Sequence, residues 1–335
     1  MRGFSNPMPS TPIALSTWLK LVLLALVWGS SFMLIKKGLL VYTPTEVAAL
    51  RLASAAAALA PFALLRLHRV QGRQWLVLLS VGMTGSLLPA FLFAFAQTQL
   101  DSGVTGALNA LTPLFTLIIG AVFFAQRIAL RSALGLAVGF AGTALLVFIQ
   151  SSGEFSLNGY AFFIVLATIC YGLNLNFIKQ YLPNLSPVTI TGVSLLMVLP
   201  VAVLYLAGPG QVGAKLAMTD NFQAWWSLGA VVALGVFGTA LALILFNHIV
   251  QIATTTFASS VTYLIPIVAV SLGVMDGEMV SIYHVAGMGL ILIGVWIANR
   301  QTPAAAAPEA TTVDIECAEP TAAEDLASSS LETQR

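Results

Sequence analysis

Long apolar runs, each about the length of a bilayer-spanning helix, fill most of this chain. A helix rises about 1.5 Å per residue, so about 20 apolar residues cross the roughly 30 Å hydrocarbon core of a membrane. Ten such runs predict an all-α membrane protein with ten transmembrane helices. The first five cover approximately residues 18–40, 45–65, 75–97, 102–124 and 132–149. The second five cover approximately 159–178, 187–207, 225–249, 254–275 and 282–298.

Two other interpretations of these runs fit less well. Strands of a membrane barrel are alternating segments of about 10 residues, whereas these runs are longer and continuously apolar. A cleaved signal peptide would end at a small-residue site, which the first run lacks, and nine further runs follow it. The first run is therefore expected to be a retained helix.

Charged residues are scarce, which narrows the class of protein. The chain has 335 residues with 14 Lys and Arg and 13 Asp and Glu, whereas a soluble protein of this length would carry roughly 80 charges. This scarcity excludes a soluble enzyme, a nucleic-acid-binding protein and a disordered chain. The two cysteines, Cys170 and Cys317, are too few for a disulfide framework or a zinc site, so no metal or cofactor is expected.

The positive charges indicate an orientation. With the amino terminus in the cytoplasm, ten Lys and Arg residues lie inside, and only Lys36, Lys37 and Lys215 lie outside. Arg51 falls within a helix. This positive-inside bias, with an even number of helices, predicts that both termini are cytoplasmic.

The two halves of the chain match at regularly spaced landmarks. The offset is 143 residues between the first and sixth helices and 153 residues near the fourth and ninth. The landmarks and their counterparts are Trp28-Gly29 and Tyr171-Gly172, Lys36 and Lys179, Thr43-Pro44 and Ser186-Pro187, Pro113 and Pro266, and Gly120 and Gly273. Five helices per copy is an odd number, so the second copy enters the membrane in the opposite sense. Such inverted repeats are typical of secondary transporters, which hold substrate near the midplane.

Several of these motifs resemble a known family. Trp28-Gly29-Ser30-Ser31-Phe32, Arg51 and the Pro-centred stretches 108–120 and 261–273 are similar to the drug/metabolite transporter superfamily, specifically its EamA-type bacterial permeases. The resemblance covers residues 18–299. It implies a ten-helix inner-membrane carrier, commonly an exporter of amino acids or other small metabolites, whose cavity is lined mainly by helices one, three, four, six, eight and nine. The acidic residue that often follows the fourth and ninth helices is kept as Glu278, but the first copy has Gln126.

The resulting organisation has five parts. The chain is divided into an amino-terminal cytoplasmic segment (1–17), a first EamA-like five-helix repeat (18–149), a linker (150–158), a second repeat (159–299) and an acidic cytoplasmic tail (300–335). The tail is rich in Ala, Pro, Thr, Ser and Glu and cannot bury enough apolar area to offset its ordering entropy, so it is expected to be disordered. A solvated terminus and a regulatory or partner-binding segment both remain possible.

Polar side chains within the runs are the candidate substrate contacts. On the fourth helix, Thr105, Asn109, Thr112 and Thr116 form one stripe, and on the ninth Thr255, Ser259, Thr262 and Tyr263 form another. They either face the cavity or stabilise helix packing by hydrogen bonding, since both uses are common. The full set of cavity candidates is Trp28, Ser31, Gln97, Asn109, Thr112, Tyr171, Asn174, Asn247, Thr262 and Tyr263.

Three further residues have distinct expected roles. Pro113 and Pro266 are expected to kink or break their helices, which frees backbone carbonyls. Arg51 is a cation well inside a predicted span, about six residues from its outer end. It could attract a carboxylate or phosphate, or it could anchor a helix or extend its charge outward.

The sequence therefore predicts a secondary transporter and no catalytic residue. No phosphate-binding loop is present, so the chain is not its own ATPase. We expect an exporter of amino acids or related compounds; the alternatives are an importer of a vitamin, nucleoside or other small metabolite and, less favoured, an integral membrane enzyme. His68, His248 and His284 lie on different segments without metal-ligand spacing. The expected partners are a small-molecule substrate and the lipid bilayer, with no nucleic acid, in a monomer or weak homodimer.

Overall fold

A computed structural model describes residues 15–125, 130–148, 158–218, 222–252 and 261–299. These residues form helices joined by short turns, and no strand occurs among them. The first-half helices are α1 (Leu15–Leu39), α2 (Pro44–Leu64), α3 (Gln74–Ala96), α4 (Ser102–Phe124) and α5 (Leu130–Phe148). The second-half helices are α6 (Ala161–Tyr181), α7 (Pro187–Ala207), α8 (222–252), α9 (Val261–Met275) and α10 (Ile282–Asn299).

The helical membrane architecture expected from the sequence is confirmed in its main feature. Among the described residues, seven helices are long and apolar enough to cross a membrane: α1, α2, α3, α4, α6, α7 and α8. The other three contain shorter apolar stretches, Leu130–Leu146, Leu264–Met275 and Ile282–Ile297. Large apolar side chains also cover the outer surface; Leu204, for example, is 73% exposed. An apolar exterior of this kind suits lipid rather than water.

Equivalent helices begin in the same way in the two halves. Thr43 caps α2 by accepting from the Glu46 N–H at 3.3 Å, while the Glu46 carboxylate accepts from the Thr43 N–H at 2.7 Å. Ser186 caps α7 by accepting from the Thr189 N–H at 3.3 Å. A proline occupies the first turn of both helices, where its missing N–H costs no hydrogen bond.

The matching helices of the two halves pack across each other. The α1 helix packs against α9, its counterpart α6 packs against α4, and α2 and α5 pack against their own counterparts, α7 and α10. Glycines permit the closest approaches. A Cβ on Gly29 would lie 2.5 Å from the Val268 Cβ, and one on the equivalent Gly172 would lie 3.0 Å from the Thr116 nitrogen. The core of the protein is therefore built largely from contacts between the halves.

Both α3 and α8 contain a widened π-helical turn at equivalent positions. The turns are Met83–Leu87 and Leu234–Leu241. Gly82 beside the first turn contacts the backbone carbonyl of Ser194 in α7, and the equivalent Gly235 contacts the carbonyl of Arg51 in α2; an added Cβ would lie 2.5 Å from either oxygen. The repeat thus extends to local irregularities of the helices.

The break expected at Pro113 is present, whereas Pro266 does not end its helix and one short helix was not expected. The α4 helix is interrupted: one segment ends at Asn109 and the next begins at Thr112, with Pro113 in its first turn. Pro266, by contrast, lies inside α9. A short helix, Val212–Met218, follows the Gly208-Pro209-Gly210 turn, where only a loop was expected. Glu46 fixes this short helix by accepting from the Gln211 N–H and from Lys215.

The backbones of α5 and α10 approach so closely that one added methyl group should disturb their packing. A Cβ on Gly294 would lie 2.6 Å from the carbonyl oxygen of Gly135 and would also meet the backbone of Gly139, whereas Gly289 in the same helix faces open space. We expect Gly294→Ala to lower the free energy of unfolding by about 1–3 kcal/mol, because overlapping atoms force the helices apart. Denaturant unfolding of the purified protein in micelles measures the change.

Gly289→Ala is the matched control, since it adds the same methyl group to the same helix. We expect it to leave the free energy of unfolding within about 1 kcal/mol of the original value. Equal destabilisation by the two substitutions would contradict the described packing of α5 on α10.

Candidate functional site

A partly buried polar cluster forms where α2, α6 and α8 meet. Arg51 donates from Nε to the Thr239 hydroxyl at 2.8 Å. Thr239 lies in the π-helical turn and donates in turn to the Leu234 carbonyl, five residues earlier. The Tyr171 phenol lies close to the same guanidinium. Three elements from both halves therefore meet around one cation.

Trp28 lies beside this cluster. Its indole N–H donates to the Gly238 carbonyl at 3.1 Å, so Trp28 and Arg51 bind consecutive residues of the π-helical turn. The indole also packs on Phe246, with ring centroids 5.2 Å apart. Phe93 packs against Tyr171, with ring centroids 6.0 Å apart. Of the sequence candidates, the structure brings Trp28, Arg51 and Tyr171 together.

Ser31 and Asn174 occupy equivalent positions and are both buried against a π-helical turn. The Ser31 hydroxyl donates to the Val27 carbonyl at 2.8 Å and abuts Gly238. The Asn174 amide donates to the Val81 carbonyl at 2.9 Å and abuts Gly85, which is the counterpart of Gly238. Both side chains therefore take part in packing between the two halves.

The polar stripe of α4 is largely bonded to its own backbone. Thr105, Thr112 and Thr116 each donate to a carbonyl three or four residues earlier. Asn109 differs, because its side-chain oxygen is buried without a hydrogen-bond partner among the described residues. Gln97 is similar: its amide nitrogen donates to the Phe32 carbonyl at 2.9 Å, but its oxygen has no described partner.

The remaining candidates lie on α8 and α9. Asn247 donates to the Thr191 hydroxyl of α7 at 3.2 Å. Thr262 is half-buried and is engaged in an interaction of its own. The side chain of Tyr263 lies outside the described residues, as do Thr255 and Ser259.

Sequence reasoning missed a cluster of charges at one end of the bundle. The Glu278 side chain, only 2% exposed, accepts from Lys36 at 2.8 Å. It also accepts from the backbone N–H groups of Ser102 at 2.9 Å and Gly103 at 3.2 Å, at the start of α4. This carboxylate thus joins α1, α4 and the turn after α9. Its signal in the sequence was that Lys36, Asp101 and Glu278 all lie at helix ends on the predicted outer face.

Two further ion pairs lie on the same predicted face. Lys37 pairs with Asp276 beside the Glu278 cluster. Lys215 pairs with Glu46 at 2.5 Å and links the short helix to the start of α2. The helix ends on this face are therefore held together by opposite charges.

The protonation of the Glu278 cluster follows from its contacts. Burial disfavours the Glu278 carboxylate, but hydrogen bonds from Lys36 and from the Ser102 and Gly103 N–H groups outweigh burial and lower its pKa. Burial and the nearby Glu278 charge raise the pKa of Asp101. The hydrogen bond from Lys37 lowers the pKa of Asp276 despite partial desolvation. Glu278 is therefore an ionised anchor at neutral pH.

The opposite predicted face does not repeat this arrangement among the described residues. Lys179, the counterpart of Lys36, is exposed, and Gln126, the counterpart of Glu278, lies outside the described residues. An aromatic group lies there instead, with ring centroids 6.4 Å apart for Phe124 and Phe177 and 6.2 Å apart for Phe124 and Tyr181. Within the part of the chain that the structure describes, no group of three or more His, Cys, Asp or Glu could hold a metal.

Comparison with known proteins agrees with this architecture. The model of the EamA-like transporter family matches residues 16–148 and again 158–300. A protein named "Uncharacterized transporter" from Archaeoglobus fulgidus is 27% identical over 85% of this chain and 99% of its own length. The "Uncharacterized inner membrane transporter YedA" of Escherichia coli is 28% identical over 81% of this chain and 87% of its own length.

One relative carries a more specific name, and one solved structure shares the fold. The "Probable terminal-alkyne amino-acid exporter" of Streptantibioticus cattleyicolor is 25% identical over 84% of this chain and 93% of its own length. A crystal structure superposes with a TM-score of 0.59 at 18% identity, covering 84% of this chain and 96% of the other. At that identity the superposition supports the fold alone.

The anchoring role of Glu278 can be tested by a neutral substitution. We expect Glu278→Gln to lower the free energy of unfolding by about 2 kcal/mol at pH 7, because it weakens hydrogen bonds to a charged acceptor. A lowered folded-state pKa gives stability that is present above the ordinary value of 4.5 and is lost as pH falls through the folded value. The difference in free energy of unfolding between the Glu278→Gln variant and the original protein should therefore stay constant from pH 7 to about pH 5. It should become smaller at lower pH.

Thermal or chemical unfolding at several pH values measures this difference. Asp276→Asn is the matched control, since the Asp276 side chain is 26% exposed and its ion pair faces solvent. We expect the control to change stability by less than about 1 kcal/mol. A difference between Glu278→Gln and the original protein that persists unchanged at pH 3.5 would contradict the ionised anchor.

Proposed function

We propose that this chain, which belongs to the EamA-like transporter family, is a secondary transporter that exports amino acids or related small metabolites by alternating access. The observation that carries the proposal is the exchange of partners between the halves, in which α1 packs on α9 and α6 on α4. Two inverted halves that share their central contacts can exchange conformations about an axis in the membrane plane. The same site is thereby opened to each face in turn.

The proposed orientation places both termini in the cytoplasm, with ten crossings formed by the repeats at 18–149 and 159–299. The bias of Lys and Arg toward one side supports this orientation. The Escherichia coli relative, named as an inner membrane transporter, supports the bacterial inner membrane as the location. We propose a monomer, because the Gly135-x-x-x-Gly139 face is occupied by α10 of the same chain.

In this orientation the Lys36–Glu278 and Lys37–Asp276 pairs lie at the outer face. They tie α1 to the turn after α9, and Glu278 also holds the start of α4. Opening the pathway to the outside must separate these groups. At the inner face the described residues include the aromatic contacts of Phe124 and a Lys20–His248 hydrogen bond, but no ion pair. The described conformation thus corresponds to a carrier closed at the outside.

The substrate class rests on the relative and on the chemistry of the cluster. The Streptantibioticus relative is named as a probable amino-acid exporter. Trp28 and Tyr171 provide aromatic surfaces beside hydrogen-bonding groups, which suit a compact polar solute. Two further polar candidates, Asn109 and Gln97, each have a buried side-chain oxygen without a described hydrogen-bond partner. Substrate or ion gradients supply the energy.

Metabolite profiling tests this function directly. Cells that overproduce the protein should accumulate specific amino acids or related metabolites in the medium relative to cells without it. Purified protein in proteoliposomes should then release the same compounds without ATP, measured with and without a pH gradient. Failure of any solute to move, together with a hydrolytic activity, would contradict the proposal.

Alternating access predicts that cross-linking the outer face stops transport. A Cβ on Gly103 in α4 would lie 3.5 Å from the Val270 Cα in α9, which is compatible with a disulfide. In a protein with its native cysteines replaced, we expect oxidised Gly103→Cys/Val270→Cys to lose at least 90% of its flux. The physical reason is that α4 and α9 belong to different halves and must separate.

Reduction of the disulfide should restore flux, and each single-cysteine variant should remain active under oxidation. Flux from proteoliposomes before and after reduction measures both effects. Full activity of the oxidised pair, with the disulfide confirmed by mass spectrometry, would contradict opening at this face.

A further inference from the structure

We propose that Arg51 binds a carboxylate of the transported substrate, so that the solutes carried are small carboxylates rather than neutral compounds such as nucleosides. The inference rests on the proposed transport function and specifies its substrate class. Its starting point is a cation near the middle of the helix bundle whose described partners are all uncharged.

The location of the guanidinium follows from its partners. Thr239 lies in the π-helical turn near the centre of α8, and Tyr171 lies at the centre of α6. A charge in the interior of a membrane protein is costly unless it is paired or faces water. Among the described residues, however, no carboxylate forms an ion pair with Arg51. Glu46, in the same helix, pairs with Lys215 instead.

Among the described residues, the Arg51 guanidinium has the Thr239 hydroxyl as a hydrogen-bond partner and the Tyr171 phenol close by. Nε is used by Thr239, whose own proton goes to the Leu234 carbonyl. Arg51 is half-buried, so part of the residue stays accessible. A guanidinium presents parallel N–H groups, which match the two oxygens of a carboxylate.

The repeat separates this role from helix packing. Ser194 of α7 is the counterpart of Arg51, and Ser86 of α3 is the counterpart of Thr239. The Ser194 hydroxyl donates within its own helix to Thr191, while its carbonyl contacts Gly82 as the Arg51 carbonyl contacts Gly235. The second half therefore makes the same backbone contact without a cation. The charge of Arg51 is an addition to a packing arrangement that does not require it.

The neighbours of Arg51 suit the rest of a small carboxylate. Trp28 donates a hydrogen bond to the carbonyl of Gly238, one residue before Thr239. Tyr171 of α6 lies close to the guanidinium. Both aromatic residues therefore lie near the cation. A solute whose carboxylate binds Arg51 would therefore have its side chain against aromatic rings.

Matched pairs of solutes test the inference. Proteoliposomes are loaded with a mixture of L-amino acids, the corresponding amino-acid amides, uridine and adenosine, and the released compounds are measured by mass spectrometry. The amides keep size and amine but lack the negative charge. We expect at least one acid to leave about 10- to 100-fold faster than its amide, as the loss of charge-assisted hydrogen bonds predicts.

Substitutions connect this preference to Arg51. Arg51→Gln should reduce the acid-to-amide ratio to near one, whereas Arg66→Gln should leave it unchanged. Arg66 is a half-buried cation just beyond α2, and its exposed hydrogen bond goes to the Phe62 carbonyl. If Arg51→Gln does not fold, Arg51→Lys keeps the charge without the planar fork and should raise KM for the acid about tenfold.

The outcomes distinguish the inference from the transport function. An acid-to-amide ratio near one in the original protein, or a high ratio unchanged by Arg51→Gln and Arg51→Lys, would overturn the carboxylate role while leaving transport intact. Release of uridine or adenosine alone would do the same. Release of no probe at all would reject the proposed transport of these solutes, and with it this inference.

Discussion

A polar group inside a bilayer needs a partner within the protein or a wet space, and this requirement governs where the polar residues of the chain lie. Threonines on α4 satisfy it within one turn of their own helix. Asn174 satisfies it by donating to the Val81 carbonyl in the opposite half. Ser31 satisfies it by donating to the Val27 carbonyl in its own helix. Charges satisfy it at the helix ends, where Lys36 and Lys215 reach carboxylates. Arg51 is the described exception, with hydroxyl partners only.

The helices and their family could be predicted from the sequence because both depend on patterns along the chain. Apolar runs give helix positions, and the landmarks Gly29/Gly172 and Thr43-Pro44/Ser186-Pro187 identify the repeat. The resemblance rests on residues 28–32, Arg51 and the Pro-centred stretches, and the family match confirms it. The neighbours of the individual polar groups could not be predicted in this way. Thr239 lies within an apolar run, and its role depends on a π-helical turn that brings it toward Arg51.

The interruption of α4 shows why candidate residues on one predicted stripe need not share one environment. A regular helix places Thr105, Asn109, Thr112 and Thr116 on one face. The break between Asn109 and Thr112 changes the angular relation of the residues on its two sides. Thr105 is then fully buried, while Asn109 keeps a side-chain oxygen without a described partner. Periodicity gives a correct direction only as far as the helix remains continuous.

Duplication also offers a way to separate residues that maintain the fold from residues that serve a function. Both halves keep the glycines at the π-helical turns and the proline that follows each helix cap. Shared packing is sufficient to explain features that the two halves have in common. Where the halves differ, symmetry of packing cannot be the reason. Arg51 against Ser194 and Glu278 against Gln126 are two such differences. Arg51 gives the first half a cation near the centre of the bundle, and Glu278 gives the second half an anion at a helix end. The two halves therefore share their helix packing but differ in where they place charge.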